Sequence, residues 1–308
     1  MTTELPSTIE RGPFTKDDGY FGPESVTWKI STEPSAALIG LASATIQMLY
    51  PPVMHMIDQA SNFREHPELR ARRTGEYGLT ITFGDKEAAD RAGATLRRIH
   101  QKCFAVDPDS GRRYNVEEPE LLMWVQNVLT WVPLRISEIY GPALTADERD
   151  RYVVEQKQAG RLVGIDPDLM PNTEAELDEY MVSMRPKLAM GYDTIWFRDM
   201  VLPKGIALTP AKSIEQLMGW GAIALFSPEH RQLFGIRWNP IREFAIVAAV
   251  KTAFAAAGSK PLDQVLPQIR ETVNQVAFGS PKRRVEPGPA AAEDDAAPAG
   301  AATADRPG

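Results

Sequence analysis

Cysteine and histidine are both scarce in this sequence of 308 residues. Cys103 is the only cysteine, and the only histidines are His55, His66, His100 and His230. A single cysteine excludes an intrachain disulfide framework and any zinc or iron–sulfur site built from cysteines. Four histidines also leave little material for a histidine-rich metal centre.

Basic residues are also fewer than acidic residues. The chain has 34 Lys and Arg against 41 Asp and Glu, a net charge of −7 and a pI of about 5.3. A protein that binds nucleic acid without sequence preference normally shows a basic surplus or stripe, so we expect no nucleic-acid partner. The stretch from Met1 to Lys16 has acidic residues and no apolar run, which is not typical of a signal peptide. We therefore expect a cytoplasmic protein.

Long apolar runs are missing too. The one candidate, residues 34–57, is interrupted by Gln47 and then broken by Pro51 and Pro52. Both breaks come before the roughly 20 continuous apolar residues that a bilayer requires. We expect this segment to form a buried core helix, and we expect no transmembrane segment.

Several motifs that specify well-known chemistry are absent. The sequence contains neither of the glycine-rich phosphate loops, GxxxxGK[ST] and GxGxxG, and it lacks HExxH and CxxC. It also lacks the GxSxG elbow, which argues against an α/β-hydrolase. These motifs are specific enough that their absence counts against the corresponding enzyme classes.

Helix signals recur along the chain, whereas the alternation typical of strands is scarce. Asp85 can cap a helix whose apolar residues recur at spacings of three or four. These residues are Ala88, Ala92, Leu96, Ile99 and Cys103. Pro67 can begin the preceding helix, in which 79-LTITF-83 could end the helix as easily as form a strand. The stretch 107-DPDSGRRYN-115 has the composition of turns and could form a small hairpin.

Further helix boundaries can be placed by proline and by capping residues. Pro119 opens a long helix that reaches Tyr140, with Pro133 inside it. Two capping boxes open the next helices, Thr145 with Glu148 and Thr173 with Glu176. The sequence therefore predicts an all-α fold with one multi-helix domain over about residues 19–279. Residues 1–18 are predicted to be flexible, and 280–308, rich in Pro, Ala, Gly and acidic residues, to be a disordered tail.

His100 is the histidine that stands out, since Leu96 and Cys103 flank it on one helix face. One interpretation is a core-edge histidine that hydrogen-bonds a carbonyl. Another is an axial haem ligand, with Arg97 and Arg98 pairing with the haem propionates, because guanidinium groups match carboxylates. A third, a Cys–His nucleophile with Cys103, is weaker, because neighbours on one helix face more often simply pack together.

Two other groups could serve a site. Arg70 and Thr74 are four residues apart, so they share one helix face and could address one ligand; the alternative is a solvated basic face in the arginine-dense 70-RARR-73. Gln126 and Asn127 interrupt a mostly apolar helix and would need partners if buried. They could equally meet a neighbouring helix end or a water molecule.

Several of these residues also carry a family resemblance. They lie in the segments 21-FGPESVTWKI-30, Gln47 with Pro51, 70-RARRT-74, 82-TFGD-85, 97-RRIH-100, 118-EPELLMWVQ-126 and 166-DPDLMP-171. In this order and spacing the chain resembles the DUF2236 family, the catalytic domain of bacterial rubber oxygenases (latex-clearing proteins) and of the fungal MpaB-type oxygenase. The resemblance covers about residues 20–278.

The resemblance implies an all-α fold with a globin-like core, haem b as the iron cofactor, and dioxygen chemistry such as oxidative cleavage of a C=C bond. His100 then matches the proximal iron ligand. Arg70 and Thr74 match a pattern beside the haem pocket, and Arg73 stands where rubber oxygenases have a lysine. Arg70, Arg97 and Arg98 are candidates for holding propionates.

The chain departs from the family pattern at three histidines, which are replaced by Tyr50, Ala60 and Gln126. Either His100 ligates haem and Tyr50 and Gln126 have been retuned, or a missing histidine is the true ligand and haem is absent or held differently. We favour the first, with Arg70, Arg73, Thr74, Tyr50 and Gln126 as catalytic candidates.

The expected substrate is a small apolar or amphipathic metabolite, with O₂ as co-substrate and an external electron donor; the oligomeric state stays open. Rival hypotheses are a non-catalytic haem-binding protein, a cofactor-free helical scaffold, and a haem-dependent dehydrogenase or peroxidase.

Overall fold

The computed structural model describes residues 18–61, 63–202, 209–258 and 262–278. Over these residues the fold is all-α, as the sequence predicts, and the structure is 73% helical. The helices are α1 (Val26–Ser31), α2 (Ile39–Gln47), α3 (Pro51–Ala60), α4 (Pro67–Phe83), α5 (Lys86–His100), α6 (Pro119–Ile139), α7 (Ala146–Val163), α8 (Glu174–Met184), α9 (Tyr192–Val201), α10 (Pro210–Ala224), α11 (Pro228–Leu233), α12 (Pro240–Ala257) and α13 (Leu262–Phe278). The predicted flexible N-terminus, apart from Asp18, and the predicted disordered tail lie outside the described residues.

The small hairpin predicted around residues 107–115 is present. Strand β1 (Phe104–Val106) pairs in antiparallel register with β2 (Arg113–Asn115), so that Ala105 lies opposite Tyr114. Short 3₁₀ helices occupy Pro34–Leu38, Pro167–Leu169 and Arg185–Lys187. The hairpin folds the chain back after α5 and leads directly into α6.

Helix α6 lies at the centre of the fold. Its Trp124, Val128 and Val132 side chains are fully buried, and the helix packs against α2, α7 and α8. The helix stays continuous through Pro133, from Pro119 to Ile139. Because most of its residues are apolar around the whole circumference, α6 can bury nearly all of its surface, as an interior helix should.

Helices α4 and α5 form a helical hairpin through the two-residue turn at Gly84 and Asp85. The Asp85 carboxylate accepts a hydrogen bond from the Ala88 amide at 2.7 Å, which confirms the predicted N-cap. The stretch 79–83 ends α4 as helix. The predicted apolar stripe of α5 is wrong at Ile99, which is 53% exposed, and at Cys103, which follows the end of the helix.

Of the two predicted capping boxes, one is complete. Thr145 and Glu148 exchange both hydrogen bonds at the start of α7. At α8 the Thr173 hydroxyl accepts from the Glu176 amide, but the Glu176 carboxylate accepts from the Asn172 amide instead. The second box is therefore only half correct.

Helix α7 anchors both α1 and α5. Its Glu155 carboxylate accepts hydrogen bonds from the amides of Val26 and Thr27, at 3.1 and 2.8 Å, and from the Thr27 hydroxyl at 2.7 Å. Gly93 of α5 packs against Leu162 of α7 so closely that a Cβ at residue 93 would lie 2.8 Å from the Leu162 carbonyl oxygen. The position of α5 is thus set by its contact with α7.

The apolar segment 34–57 is divided rather than forming one helix. It contributes a 3₁₀ turn, α2 and most of α3, and the chain bends by 105° between Pro34–Gln47 and Pro51–Ala60. Among the described residues no single helix is long and apolar enough to cross a membrane, whereas this bent pair passes on length and composition alone.

Candidate functional site

His100 is the last residue of α5, and its side chain is 21% exposed. Its Nδ1 atom is buried and has no hydrogen-bond partner. Nδ1 faces Glu117 Oε1 at 3.9 Å, beyond hydrogen-bond distance, and this carboxylate oxygen is also buried without a partner. Buried polar atoms are normally hydrogen-bonded, so two such atoms facing each other are unusual.

Burial, and to a smaller extent the positive charge of Arg70, lowers the pKa of His100 to about 4. The imidazole is therefore neutral at pH 7. A neutral imidazole has one nitrogen with a free lone pair, which is the form that binds metals.

Arg70 is the cation that faces this histidine. It belongs to α4 and is partly buried, and burial lowers the pKa of its guanidinium; Cys103 lies close enough to act in the opposite direction. Within the described ranges no carboxylate comes within ion-pair distance of Arg70. The helical hairpin explains its place, because residues near the start of α4 lie beside the end of α5.

Asn115 ties the end of α5 to the turn that bears Glu117. Its side-chain amide donates to the carbonyl oxygens of Cys103 at 2.9 Å and His100 at 3.4 Å. Its side-chain oxygen accepts from the Glu117 amide at 2.7 Å. The Val116 amide also donates to the Cys103 carbonyl. These bonds hold residues 115–117 against the last turn of α5.

The remaining polar residues of α4 divide into buried and exposed ones. Tyr77 has a buried hydroxyl without a hydrogen-bond partner, and burial raises the pKa of its phenol. Arg73 and Thr74 are exposed. The structure therefore places Arg70 beside His100 and leaves Thr74 exposed on α4. That the two residues address one ligand stays a prediction.

The two arginines that precede His100 do not join it. The Arg97 guanidinium lies against Gly164 at the end of α7, where a Cβ would be 3.0 Å from Arg97 Nε. Arg98 donates to the Ala94 carbonyl and to Thr95 on its own helix. Among the described residues neither arginine makes a hydrogen bond or ion pair with His100, and Arg98 is about 200° around the helix from it; their pairing with propionates stays a prediction.

Two of the positions at which the resemblance implies a histidine, Tyr50 and Gln126, contact different neighbours. Tyr50, which precedes α3, is buried and packs edge-on against Trp124 with ring centroids 6.1 Å apart; burial and then Glu120 raise the pKa of its phenol to about 12. Gln126 points to α7, where its amide donates to the Gln156 carbonyl at 3.5 Å. The third position, Ala60, is exposed at the far end of α3.

Among the residues that the structure describes, no group of three or more His, Cys, Asp and Glu side chains could hold a metal ion. Ligation by a single imidazole, as in a haem protein, needs no such group. His100, Arg70 and Glu117 thus make up the candidate site, and Tyr77 lies two helical turns beyond Arg70 on the same face of α4.

Residues 28–257 match the family described as ER-bound oxygenase mpaB/B'/Rubber oxygenase, catalytic domain. The match covers well over half of the chain. The chain belongs to this family. Membership of the MpaB/rubber oxygenase family confirms the resemblance drawn from the motifs and supports an oxygenase, and hence an enzyme. No curated protein and no solved structure matches the chain.

Sequence reasoning missed Glu117, Asn115 and Tyr77 of this MpaB/rubber oxygenase family protein. One signal for the first two was available in the predicted hairpin, since a chain that reverses at 107–111 must bring residues 115–117 back to residues 100–103. Tyr77 follows Arg70 by two helical turns and shares its face.

Proposed function

We propose that the protein is a haem b-dependent oxygenase in which His100 is the iron ligand. Its substrate would be a small apolar or amphipathic metabolite, O₂ the co-substrate, and an external donor the source of electrons. The observation that carries the proposal is a neutral, partly buried imidazole beside Arg70, a desolvated cation without an acidic partner among the described residues.

The side chains present fit this cofactor. One imidazole can hold the iron of haem b, as in globins and peroxidases, and cationic groups can pair with its two propionates. His100 is kept neutral by burial, so it can donate a nitrogen lone pair without first losing a proton. Arg70 can pair with a propionate carboxylate, and in a partly desolvated position such a pair is stronger than in water.

Bound haem would supply the redox-active iron on which dioxygen chemistry depends. The chain's own residues then have separate tasks. Arg70 holds a carboxylate, and Arg73 and Thr74, exposed on the same helix, are available to substrate. Tyr50, whose raised pKa keeps its phenol protonated, can donate a hydrogen bond. We assign no catalytic task to Gln126, because its amide is engaged by α7, or to Arg97 and Arg98.

Two observations support an apolar substrate. The family is that of oxygenases named for rubber, an apolar polymer. Ile99 and Phe104, on either side of His100 in the chain, are 53% and 41% exposed, which leaves apolar surface on the segment that bears the histidine.

Absorption spectroscopy tests the proposal on protein expressed with a haem precursor. We expect a Soret band in the wild type, loss of the band in His100→Ala, and no change in His66→Ala. His66 is the matched control because its side chain is 58% exposed and its removal disturbs no buried contact. A Soret band that survives in His100→Ala would move the ligand to another residue.

Turnover is tested on the same preparations. Consumption of O₂ with a panel of isoprenoid and other unsaturated substrates, in the presence of a reductant, would support an oxygenase. A Soret band without O₂ consumption across the panel would favour a non-catalytic haem-binding protein. Product free of oxygen from ¹⁸O₂ would favour a dehydrogenase or peroxidase, and a colourless wild type would favour a cofactor-free scaffold.

A further inference from the structure

We propose that Glu117 is a positioning residue for His100. Its carboxylate accepts a hydrogen bond from the Nδ1–H group of the imidazole, which leaves Nε2 free to bind iron. The inference rests on the proposed function for the identity of the metal group, but the pairing of Glu117 with His100 does not depend on it.

The first argument is the mutual fit of two buried atoms. His100 Nδ1 and Glu117 Oε1 are both buried and both lack a hydrogen-bond partner, and they face each other at 3.9 Å. A buried polar atom left without a partner costs about 1–3 kcal/mol. Closing this gap by about 1 Å reaches normal hydrogen-bond distance and satisfies both atoms at once.

The second argument is that the backbone holds the two residues together. Glu117 lies in the short segment between β2 and α6, and His100 ends α5. The Asn115 side chain bonds to both sides of this junction, to the carbonyls of His100 and Cys103 and to the amide of Glu117. These three hydrogen bonds of Asn115 hold the backbones of Glu117 and His100 next to each other. The contact therefore does not depend on long flexible side chains alone.

The third argument is chemical. A histidine that ligates a metal usually donates its other N–H to a carboxylate or carbonyl, which selects the tautomer, orients the ring and makes the ligating nitrogen more basic. Neutral His100 has one ring proton. If Glu117 receives that proton as a hydrogen bond at Nδ1, the lone pair is at Nε2. Charge-assisted hydrogen bonds of this kind are stronger than neutral ones.

The neighbouring carboxylates have other partners. Glu118 is paired with Arg112 at 2.7 Å, and Glu120 is paired with Lys187. Arg70, the other charged group facing the imidazole, is a donor and cannot accept a proton from Nδ1. Among these groups Glu117 is the acceptor in reach of His100.

The tautomer of His100 provides a test that requires no haem. In the ¹⁵N-labelled apo-protein, long-range ¹H–¹⁵N spectra distinguish a protonated Nδ1 from a protonated Nε2. We expect Nδ1–H in the wild type and a shift of the population to Nε2–H in Glu117→Ala. Glu117→Gln, which keeps an oxygen acceptor of the same reach but no charge, should give an intermediate population, and Glu118→Gln should match the wild type.

The haem-loaded protein provides the second readout. Because removal of such an outer partner typically costs about 10- to 100-fold in metal affinity, Glu117→Ala should release haem to an acceptor protein that much more readily. The iron–histidine stretching band of the reduced protein should move to lower frequency, and the reduction potential should rise. In Glu118→Gln the rate of haem release, the iron–histidine band and the reduction potential should all stay unchanged.

The outcomes separate this inference from the proposed function. An unchanged tautomer in Glu117→Ala, with an unchanged circular dichroism spectrum, would overturn the role of Glu117 whether or not haem binds. A wild type that shows Nδ1–H but takes up no haem would overturn the proposed function and leave the pairing standing. An unchanged iron–histidine band in a Glu117→Ala protein that still binds haem through His100 would also overturn the positioning role.

Discussion

Replacing Gly93 by alanine tests how tightly α5 is held against α7. A Cβ at residue 93 would lie 2.8 Å from the carbonyl oxygen of Leu162 and 3.2 Å from its Cβ. The first distance is shorter than real Cβ contacts, and the atom it meets is backbone, which cannot turn aside as a side chain could. The two helices must therefore move apart by a few tenths of an ångström.

Two opposing terms set the expected magnitude. Alanine in place of glycine inside a helix stabilises by up to about 1 kcal/mol. Overpacking a closely fitted contact costs about 1–3 kcal/mol. With the full helix term, we expect Gly93→Ala to lower the free energy of unfolding by up to about 2 kcal/mol. Gly75→Ala is the matched control, because Gly75 is also inside a helix but its added Cβ would meet no atom within 4 Å, so the helix term alone should stabilise that variant.

Urea unfolding followed by far-ultraviolet circular dichroism measures both variants under one set of conditions. The difference between them, about 1–3 kcal/mol, isolates the contact between α5 and α7, since the helix-propensity term is common to both. If Gly93→Ala proved as stable as Gly75→Ala, the close approach of the two helices, and with it our account of how α5 is positioned, would be refuted.

Two further predictions concern stability. Burial lowers the pKa of His230, which is 5% exposed, to about 4. The unfolded chain therefore binds a proton between about pH 6.5 and 4 that the folded chain does not, so stability is constant above this window and falls as the pH drops through it. From pH 7 to pH 5 the wild type should lose about 2 kcal/mol more than His230→Gln in urea unfolding, whereas His66→Gln should behave as wild type; equal losses in all three would contradict the prediction. Glu155→Ala removes the acceptor of three hydrogen bonds from α1 and should cost about 2–4 kcal/mol by thermal or urea unfolding. Glu155→Gln, which keeps one oxygen acceptor, should lose less, and equal losses in the two variants would show that the charge carries the whole effect.

Local signals in the sequence predicted much of the fold. The cap at Asp85, the box at Thr145 and the hairpin at 107–115 all depend on residues a few positions apart, and all three are confirmed. The prediction that Ile99 is buried was wrong. Helical periodicity shows which residues share a face but not whether another element packs on that face. Here α5 ends at His100, and the face that Ile99 occupies is exposed to solvent.

The residues of the candidate site could be predicted only where a pattern within a single helix identifies them. His100 was recognised from its neighbours on one face of α5, and Arg70 from its spacing to Thr74 and from the family resemblance; both signals lie within a single helix. The packing of Arg97 against Gly164 could not be predicted, because it depends on how α5 lies against α7. Glu117 was missed because its contact with His100 requires α5, the hairpin and the start of α6 to be in place together.

The scattered positions of Tyr50, Ala60 and Gln126 decide what a histidine introduced at each of them could do. Tyr50 and Ala60 are at opposite ends of α3, about 15 Å apart along the helix axis. Gln126 turns away from Tyr50 toward α7. Ligands of one metal ion cannot be so far apart, so side chains at 50 and 60 cannot bind one ion together. A histidine introduced at either position would be a solitary imidazole with its own surroundings.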